Sequence, residues 1–371
     1  MTNPKASEQT LATKVSYSYL PLEYAHFRDR IQVEVLDRIA AEAERGHFTI
    51  GSAIVEFEEA FAHATGYGYA VGVNSGTDAL FLSLKALHIG KGDHVLTVPN
   101  TFMATVGAIV AAGAQPAFCD VGPDYLMNTK TIILAHRMDA VIPVDLTGRS
   151  VSGLDWFGPA IPIILDSAQA VGAKRQRKGL LGCYSLHPLK NVHVWGDGGV
   201  VCTDDYGLYQ DLKLLRNHGS PDRDTTLVPG HNSRLDTIQA IVGLFSLSNL
   251  EWVTTRRRAN AAFYDKNLTG IEGITLPARG ESDAEVFHTY VIQAEDRDGL
   301  RASMDLLGIE CKIHYPIPLH LQPAYQYLGY EPGAFPVAES QARRILSLPI
   351  HEYLTMDQLE YVVSAIRGYY G

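Results

Sequence analysis

The sequence predicts an α/β fold, with a large doubly wound, mostly parallel sheet domain followed by a smaller C-terminal α+β domain. Three observations predict it. From about Tyr69, short apolar runs alternate with helical patterns. Those runs are near-continuous in Val, Ile and Ala, as strands covered on both faces require. After about residue 251 the alternation stops and strands and helices follow a different order. The chain has 371 residues, and at roughly 100–200 residues per domain two domains are expected.

Residues 1–14 are polar, lack the apolar centre of a signal sequence and are expected to be a disordered lead-in. The large domain is expected over 15–251. In it YAVGVNS reads as a strand and GTDALFLSLKALHI as the helix after it, then HVLTVP as a strand and TFMATVGAIVAAG as a helix. QPAFCDV, AVIPVDL and IPIILD follow as strands, then LLGCYSL and GGVVCTD close together, then the helix LYQDLKLLRNHG ending at Gly219. Right-handed crossovers would wind such a series into one sheet. From Arg234 one long helical pattern runs through KNL at 266–268 and is expected to bridge the domains. The small domain, 252–371, would then hold the strand VFHTYVIQ, the helix DGLRASMDLLG, the strand CKIHYP and two closing helices, VAESQARRILSL and MDQLEYVVSAIRG.

Composition excludes some functions. Lys and Arg number 31 against 41 Asp and Glu, a net charge of −10, which argues against a nucleic-acid binder. No run of about 18 apolar residues exists, so no membrane span is expected. Cys119, Cys183, Cys202 and Cys311 are far apart and form no CxxC pair. They read as buried free thiols in a reducing cytoplasm.

Three places carry candidate chemistry. At Asn74-Ser75-Gly76-Thr77 a strand ends and a helix begins. Free N–H groups there make an anion site, and Gly76 permits close approach; a plain cap by Ser75 or Thr77 fits equally. Neither GxGxxG nor GxxxxGK[ST] is present. Asp166 ends the buried run IPIIL, where α/β folds place ligands, or else it caps the segment SAQAVGA. Lys190 lies between two apolar strands, where desolvation would lower its pKa and suit it to Schiff-base chemistry; a surface lysine in a hairpin is the plainer alternative. Together the three suit pyridoxal 5′-phosphate, which needs a phosphate cradle, an acid at its pyridine nitrogen and a lysine for its aldehyde.

With these residues in view the chain resembles the DegT/StrS family of sugar aminotransferases, of the aspartate aminotransferase fold type. The resemblance runs from about Gly46 to the C-terminus through NSGTDAL, PNTFMAT, DSAQAVGA, SLHPLKN, GDGG, NSRLDTIQA and IHYPIPLHLQPAY. It implies that Lys190 is the Schiff-base lysine and Asp166 the acid facing the pyridine nitrogen. Gln169 would face the ring, Phe102 would stack on it, and Gly76, Thr77 and Ser185 would cradle the phosphate. Asn232 would reach the phosphate of the neighbouring subunit, implying a homodimer with shared sites. Arg234, Tyr315 and His320 would touch substrate. His187 and His193 read as packing or supporting groups rather than metal ligands. The clusters Lys174-Arg175-Gln176-Arg177-Lys178 and Arg256-Arg257-Arg258 read as solvated faces, with contact to a nucleotide diphosphate as the sharper alternative.

The resemblance implies transfer of an amino group from L-glutamate to a keto sugar. Asn232-Ser233-Arg234-Leu235-Asp236 resembles the subgroup that aminates the 3-position, which points to a nucleotide-linked 3-keto-6-deoxyhexose. A keto-inositol (cyclitol) aminotransferase shares nearly all these motifs. A sugar 3-dehydratase of the same fold would carry histidine at Lys190, and a non-catalytic regulator need not keep Lys190, Asp166 and Gln169.

Overall fold

The central strands are short and almost wholly buried, because helices cover them on both faces. β1 (Tyr69–Val73), β2 (His94–Thr97), β3 (Gln115–Phe118) and β4 (Ala140–Val141) come first along the chain, with one helix between β1 and β2 and another between β2 and β3. β5 (Ile164–Asp166), β6 (Leu181–Ser185) and β7 (Gly199–Thr203) complete the set. In the computed structural model, which describes residues 14–132, 138–175, 179–279 and 284–371, β3, β2 and β4 pair in parallel. β5 pairs in parallel with β6, while β7 runs antiparallel to both β6 and β1. Parallel bridges Val141–Ile163 and Val144–Asp166 join the two groups. The spatial order is therefore β3-β2-β4-β5-β6-β7-β1, a mostly parallel sheet with one reversed strand. The reversal follows from chain length: the β6–β7 link, residues 186–198, carries no helix to cross the sheet.

Three short helices, α1 (Leu20–His26), α2 (Arg28–Ile31) and α3 (Asp37–Glu44), lead to α4 (Ser52–Thr65). α5 (Gly76–Ala86) and α6 (Met103–Ala112) follow β1 and β2, and α7 (Tyr206–Leu215) follows β7. Two hydrophobic clusters lie on opposite faces of the sheet. One holds Val71, Leu80, Ile109 and Val201, and the other Phe57, Phe61, Tyr184 and Val200. Adjacent β7 residues Val200 and Val201 thus face opposite cores, as period-2 geometry demands.

The long helix expected from Arg234 is two helices, α8 (Thr237–Ser248) and α9 (Leu250–Leu268). The start moves to Thr237 because Asp236 and Gln239 form a capping box. The break falls at Asn249, whose Nδ2 donates to the Phe245 carbonyl at 2.8 Å and whose Oδ1 accepts from Arg30 Nη1 at 2.8 Å. A short polar side chain that bonds the local backbone favours a helix end over its interior.

Beyond α9 a second core forms around Tyr264, Tyr290, Leu300, Leu346 and Val362. Its antiparallel sheet orders β10 (Ile345–Leu348), β9 (Tyr290–Ala294) and β8 (Ile274–Thr275). α10 (Arg297–Leu306), α11 (Pro336–Arg344) and α12 (Met356–Tyr370) complete it. The expected helix VAESQARRILSL ends at Arg344, and ILSL is strand β10 instead. All four residues of ILSL are buried and Pro349 follows, so the segment fits a covered strand better than an amphipathic turn. CKIHYP makes only the bridge Lys312–Ser347. Residues 1–13 of the expected lead-in lie outside the described residues. Lys14, expected in that lead-in, donates its amide to the Gly308 carbonyl at 2.8 Å, and Val15 pairs with Ile309, so both lie against this second core.

Candidate active site

The carboxyl ends of the central strands deliver side chains to one cavity of about 330 Å³. Lys190, Asp166, Gln169, Phe102, Gly76, Thr77, Ser185 and Tyr315 all line it, so residues spread over 240 positions of sequence converge on one space.

The loop after β1 forms the anion end. Ser75 caps α5, its Oγ accepting the Asp78 amide at 3.0 Å, and this leaves the Gly76 and Thr77 amides without intrahelical partners. Gly76 is required by close approach: a Cβ there would lie 2.8 Å from Ser185 Cβ. Gly199 is tighter still, since a Cβ would sit 2.3 Å from the Ser75 carbonyl oxygen. The GDGG turn thereby presses β7 against the helix start.

Asp166 ends β5 and is 6% exposed. Its Oδ2 accepts the Thr105 hydroxyl at 2.7 Å and its Oδ1 the Ala168 amide at 3.2 Å. Burial raises its pKa, while Thr105, the Ala168 amide and Lys190 pull against that rise. A carboxylate so held keeps acceptor capacity for a cationic N–H in the cavity. Gln169 is fixed through its Oε1, which accepts the Thr147 amide at 2.8 Å.

Lys190 is partly buried at the cavity wall. Its amide donates to the His187 carbonyl at 2.8 Å, and its carbonyl accepts the Tyr19 hydroxyl at 3.3 Å. Burial pulls its pKa down to about 8 against the opposing charge of Asp166. A useful fraction of neutral amine therefore exists near neutral pH. Phe102 is 49% exposed at the mouth, its ring 5.8 Å from that of Tyr315.

Other expected residues lie elsewhere. His320 is 1% exposed, with Nε2 3.1 Å from Glu339 Oε1 and its ring edge-on to Phe335, and it does not line the cavity. The motif placed it near Tyr315, but the chain turns inward at Pro318. Asn232 and Arg234 also lie outside this cavity in their own chain. Asn232 is exposed, and Arg234 Nη1 donates to Asn217 Oδ1 at 2.8 Å beside a separate cavity of about 700 Å³. His193 is buried against Glu23 at 2.8 Å. Of the basic clusters, Arg175 and Arg257 are turned inward and paired with Asp145 and Glu352. Arg256 and Arg258 bond the carbonyls of Glu352 and Glu285. Gln176, Arg177 and Lys178 lie outside the described residues.

Sequence reasoning missed Thr105, His288 and His314. His288 and His314 line the cavity. Burial, followed by the charge of Lys190, lowers both pKa values, that of His314 to about 4. Their signal was a histidine set next to apolar residues, in VFHTYV and in KIHYP. Thr105 had none, since a threonine one helical turn from Thr101 looks like any small helix residue.

A reversed-strand α/β sheet whose strand ends bring lysine, carboxylate and an open helix N-terminus together defines an aminotransferase of the aspartate aminotransferase fold type. The chain belongs to the DegT/DnrJ/EryC1/StrS aminotransferase family, whose model matches residues 29–367. It is 36% identical to a dTDP-3-amino-3,4,6-trideoxy-alpha-D-glucose transaminase of Streptomyces venezuelae, over 94% of this chain and 95% of that protein. It is 33% identical to a pleiotropic regulatory protein of Geobacillus stearothermophilus, over 94% of this chain and 98% of that one. Among solved structures, S. venezuelae DesV in complex with a ketimine intermediate superposes with a TM-score of 0.89 at 36% identity, covering 96% of this chain and 98% of DesV.

Proposed function

We propose that the protein uses pyridoxal 5′-phosphate to move an amino group from L-glutamate to the 3-keto group of a nucleotide-linked 6-deoxyhexose, as a homodimer whose subunits share each site. A large domain over 15–251 would hold the cofactor, and a small one over 252–371 would close against it. One observation carries the reading: Lys190, Asp166 and the Gly76–Thr77 amides meet in one cavity. The residues fit the cofactor. The amides make an anion cradle, and the buried Nδ1 of His288, which lines the same cavity, is without a hydrogen-bond partner among the described residues.

When bound, the cofactor supplies an electron sink that lets a proton leave the α-carbon of an amino donor. The chain's own residues do the rest. Asp166 would keep the pyridine nitrogen protonated and Ser185, Gly76 and Thr77 would hold the phosphate. Lys190 Nζ would hold the aldehyde between turnovers and carry a proton during them. Phe102 at the mouth would cover the ring and help to exclude water. Preference for the 3-position rests on Asn232–Asp236 and is supported by the S. venezuelae relative.

The kinship to a regulatory protein keeps a non-catalytic reading in view, but that reading gives no reason to bury Lys190 beside Asp166. The test is a reverse assay of purified protein with pyridoxal phosphate, 2-oxoglutarate and a panel of nucleotide-linked amino sugars and amino-inositols. Glutamate should form with 3-amino sugars and stop with Lys190→Ala. Turnover by Lys190→Ala at the wild-type rate would refute the assignment. Turnover only with amino-inositols would refute the sugar.

A further inference from the structure

Two carboxylates share the floor of the cavity. Asp145 follows Val144, which pairs in parallel with Asp166, and the Asp145 amide donates to the Asp166 carbonyl at 2.9 Å. Asp145 is 0% exposed. Its Oδ2 accepts the Ser167 hydroxyl at 2.7 Å and its Oδ1 the Val151 amide at 2.9 Å. Ser167 adjoins Asp166 in sequence, so both acids are tied to one turn of chain. A second buried negative charge this near disfavours charge on Asp166.

The fold supplies a cation here that the reaction above does not use. Arg175 Nη2 lies 2.6 Å from Asp145 Oδ2 and 2.8 Å from Ser167 Oγ, in a side chain only 7% exposed. The sequence had placed it in a solvated basic cluster. We propose that Arg175 is a positioning residue for the cofactor site: paired with Asp145, it cancels the neighbouring charge so that Asp166 presents its carboxylate to a protonated pyridine ring. The inference rests on the reading of Asp166 given above.

The groups around the pair agree with this role. Asp166 is faced by Thr105, the Ala168 amide, Lys190, Asp145, the Cys183 thiol on β6 and the Tyr315 hydroxyl. Among these Asp145 raises its pKa. Arg175 is faced by Asp145, Tyr184, Tyr67 and the Cys202 thiol. Burial works against its charge, but Asp145 and then Tyr184 outweigh burial and raise its pKa. Tyr184 and Tyr67 are themselves kept neutral chiefly by burial. Asp145 is therefore the anion that Arg175 answers.

The test measures binding of pyridoxamine 5′-phosphate by the full-length apoprotein against pH, by equilibrium dialysis; this form has no aldehyde for Lys190 to capture, so neither turnover nor the titration of the lysine sets the midpoint. Affinity should fall on the acid side as Asp166 takes a proton. Arg175→Met should move that midpoint up by on the order of one pH unit. Asp145→Asn leaves Arg175 unpaired and should move it down. The double variant should return it close to wild type. Lost packing cannot move two variants in opposite directions. Should Arg175→Met not fold, Asp145→Asn and Arg175→Lys carry the test, with the lysine variant expected near the wild-type midpoint. Single variants that shift the same way, or leave the midpoint unmoved, overturn the proposal. Asp166→Asn separates the two readings. If it binds with wild-type affinity and pH dependence, the role of Asp166 is wrong. If it alone loses that dependence while Arg175→Met keeps the wild-type midpoint, only the role of Arg175 is wrong.

Discussion

Lys190 and Asp166 are each costly to bury alone, and each lowers the cost of the other. Burial pulls the lysine to about 8 while Asp166 opposes the fall; burial lifts the acid while Lys190 opposes the rise. A lysine with lowered pKa gains its neutral, nucleophilic form as pH rises through about 8, not through the usual value near 10.5. Capture of pyridoxal phosphate by the apoprotein, followed by absorbance, should therefore be half-maximal near pH 8. A half-point near 10 would show that desolvation does not govern the amine. For the acid, Asp166→Asn removes the anion proposed to face the pyridine nitrogen, and a neutral amide cannot replace it. That change should cost several kcal/mol, on the order of 10³-fold in turnover. A variant within about tenfold of wild type would contradict the role. These two residues were legible in the sequence because ionisable groups inside apolar runs are anomalous. His288 and His314 break apolar runs as well, but nothing in sequence separates a cavity histidine from a hydrogen-bonded core one such as His320.

Alternation of strand and helix made the element order from β1 to α7 legible, because covered parallel strands cannot hide their apolar runs. Boundaries set by a single side chain were not legible. Asn249 splits α8 from α9 by bonding the Phe245 carbonyl, and asparagine inside a helical pattern is too common to mark a break. ILSL became β10 because tertiary burial overrode a helical continuation from α11. Glycine-rich GDGG was legible as a turn, but its packing role was not. A Cβ at Gly199 would meet the carbonyl carbon of Ser75 at 2.4 Å and the Gly76 amide nitrogen at 2.8 Å. Both are backbone atoms at the helix start and cannot swing aside. Gly199→Ala should cost about 1–3 kcal/mol of stability and also weaken cofactor binding, since the displaced amides are the proposed phosphate cradle. Urea unfolding and equilibrium dialysis would read the two effects. A variant as stable as wild type, with unchanged affinity, would mean that the loop has slack the geometry denies.

At the scale of the whole molecule, the single chain gathers most of the proposed site residues in one cavity and leaves three off it, His320 in the core and Asn232 and Arg234 toward the surface. Asn232 is exposed, and Arg234 turns to Asn217 beside the larger cavity, where Glu58 and Arg216 form an ion pair. Ile50 and Val55 on the same cavity's rim are 76% and 54% exposed, an apolar surface that a second subunit would cover. If Asn232 and Arg234 serve a neighbour, two dead subunits can make one live site. A dimer of Lys190→Ala with the Asn232→Ala, Arg234→Ala chain has one site with every lesion and one with none. Equal mixing with free exchange makes about half of the dimers mixed, so about a quarter of wild-type activity should return. The lysine variant alone and the double variant alone should stay inactive under the same exchange. If mass measurement shows mixed dimers and activity does not return, Asn232 and Arg234 act within their own chain and the shared site is wrong. If the Asn232→Ala, Arg234→Ala chain is active by itself, these residues are not part of the site at all.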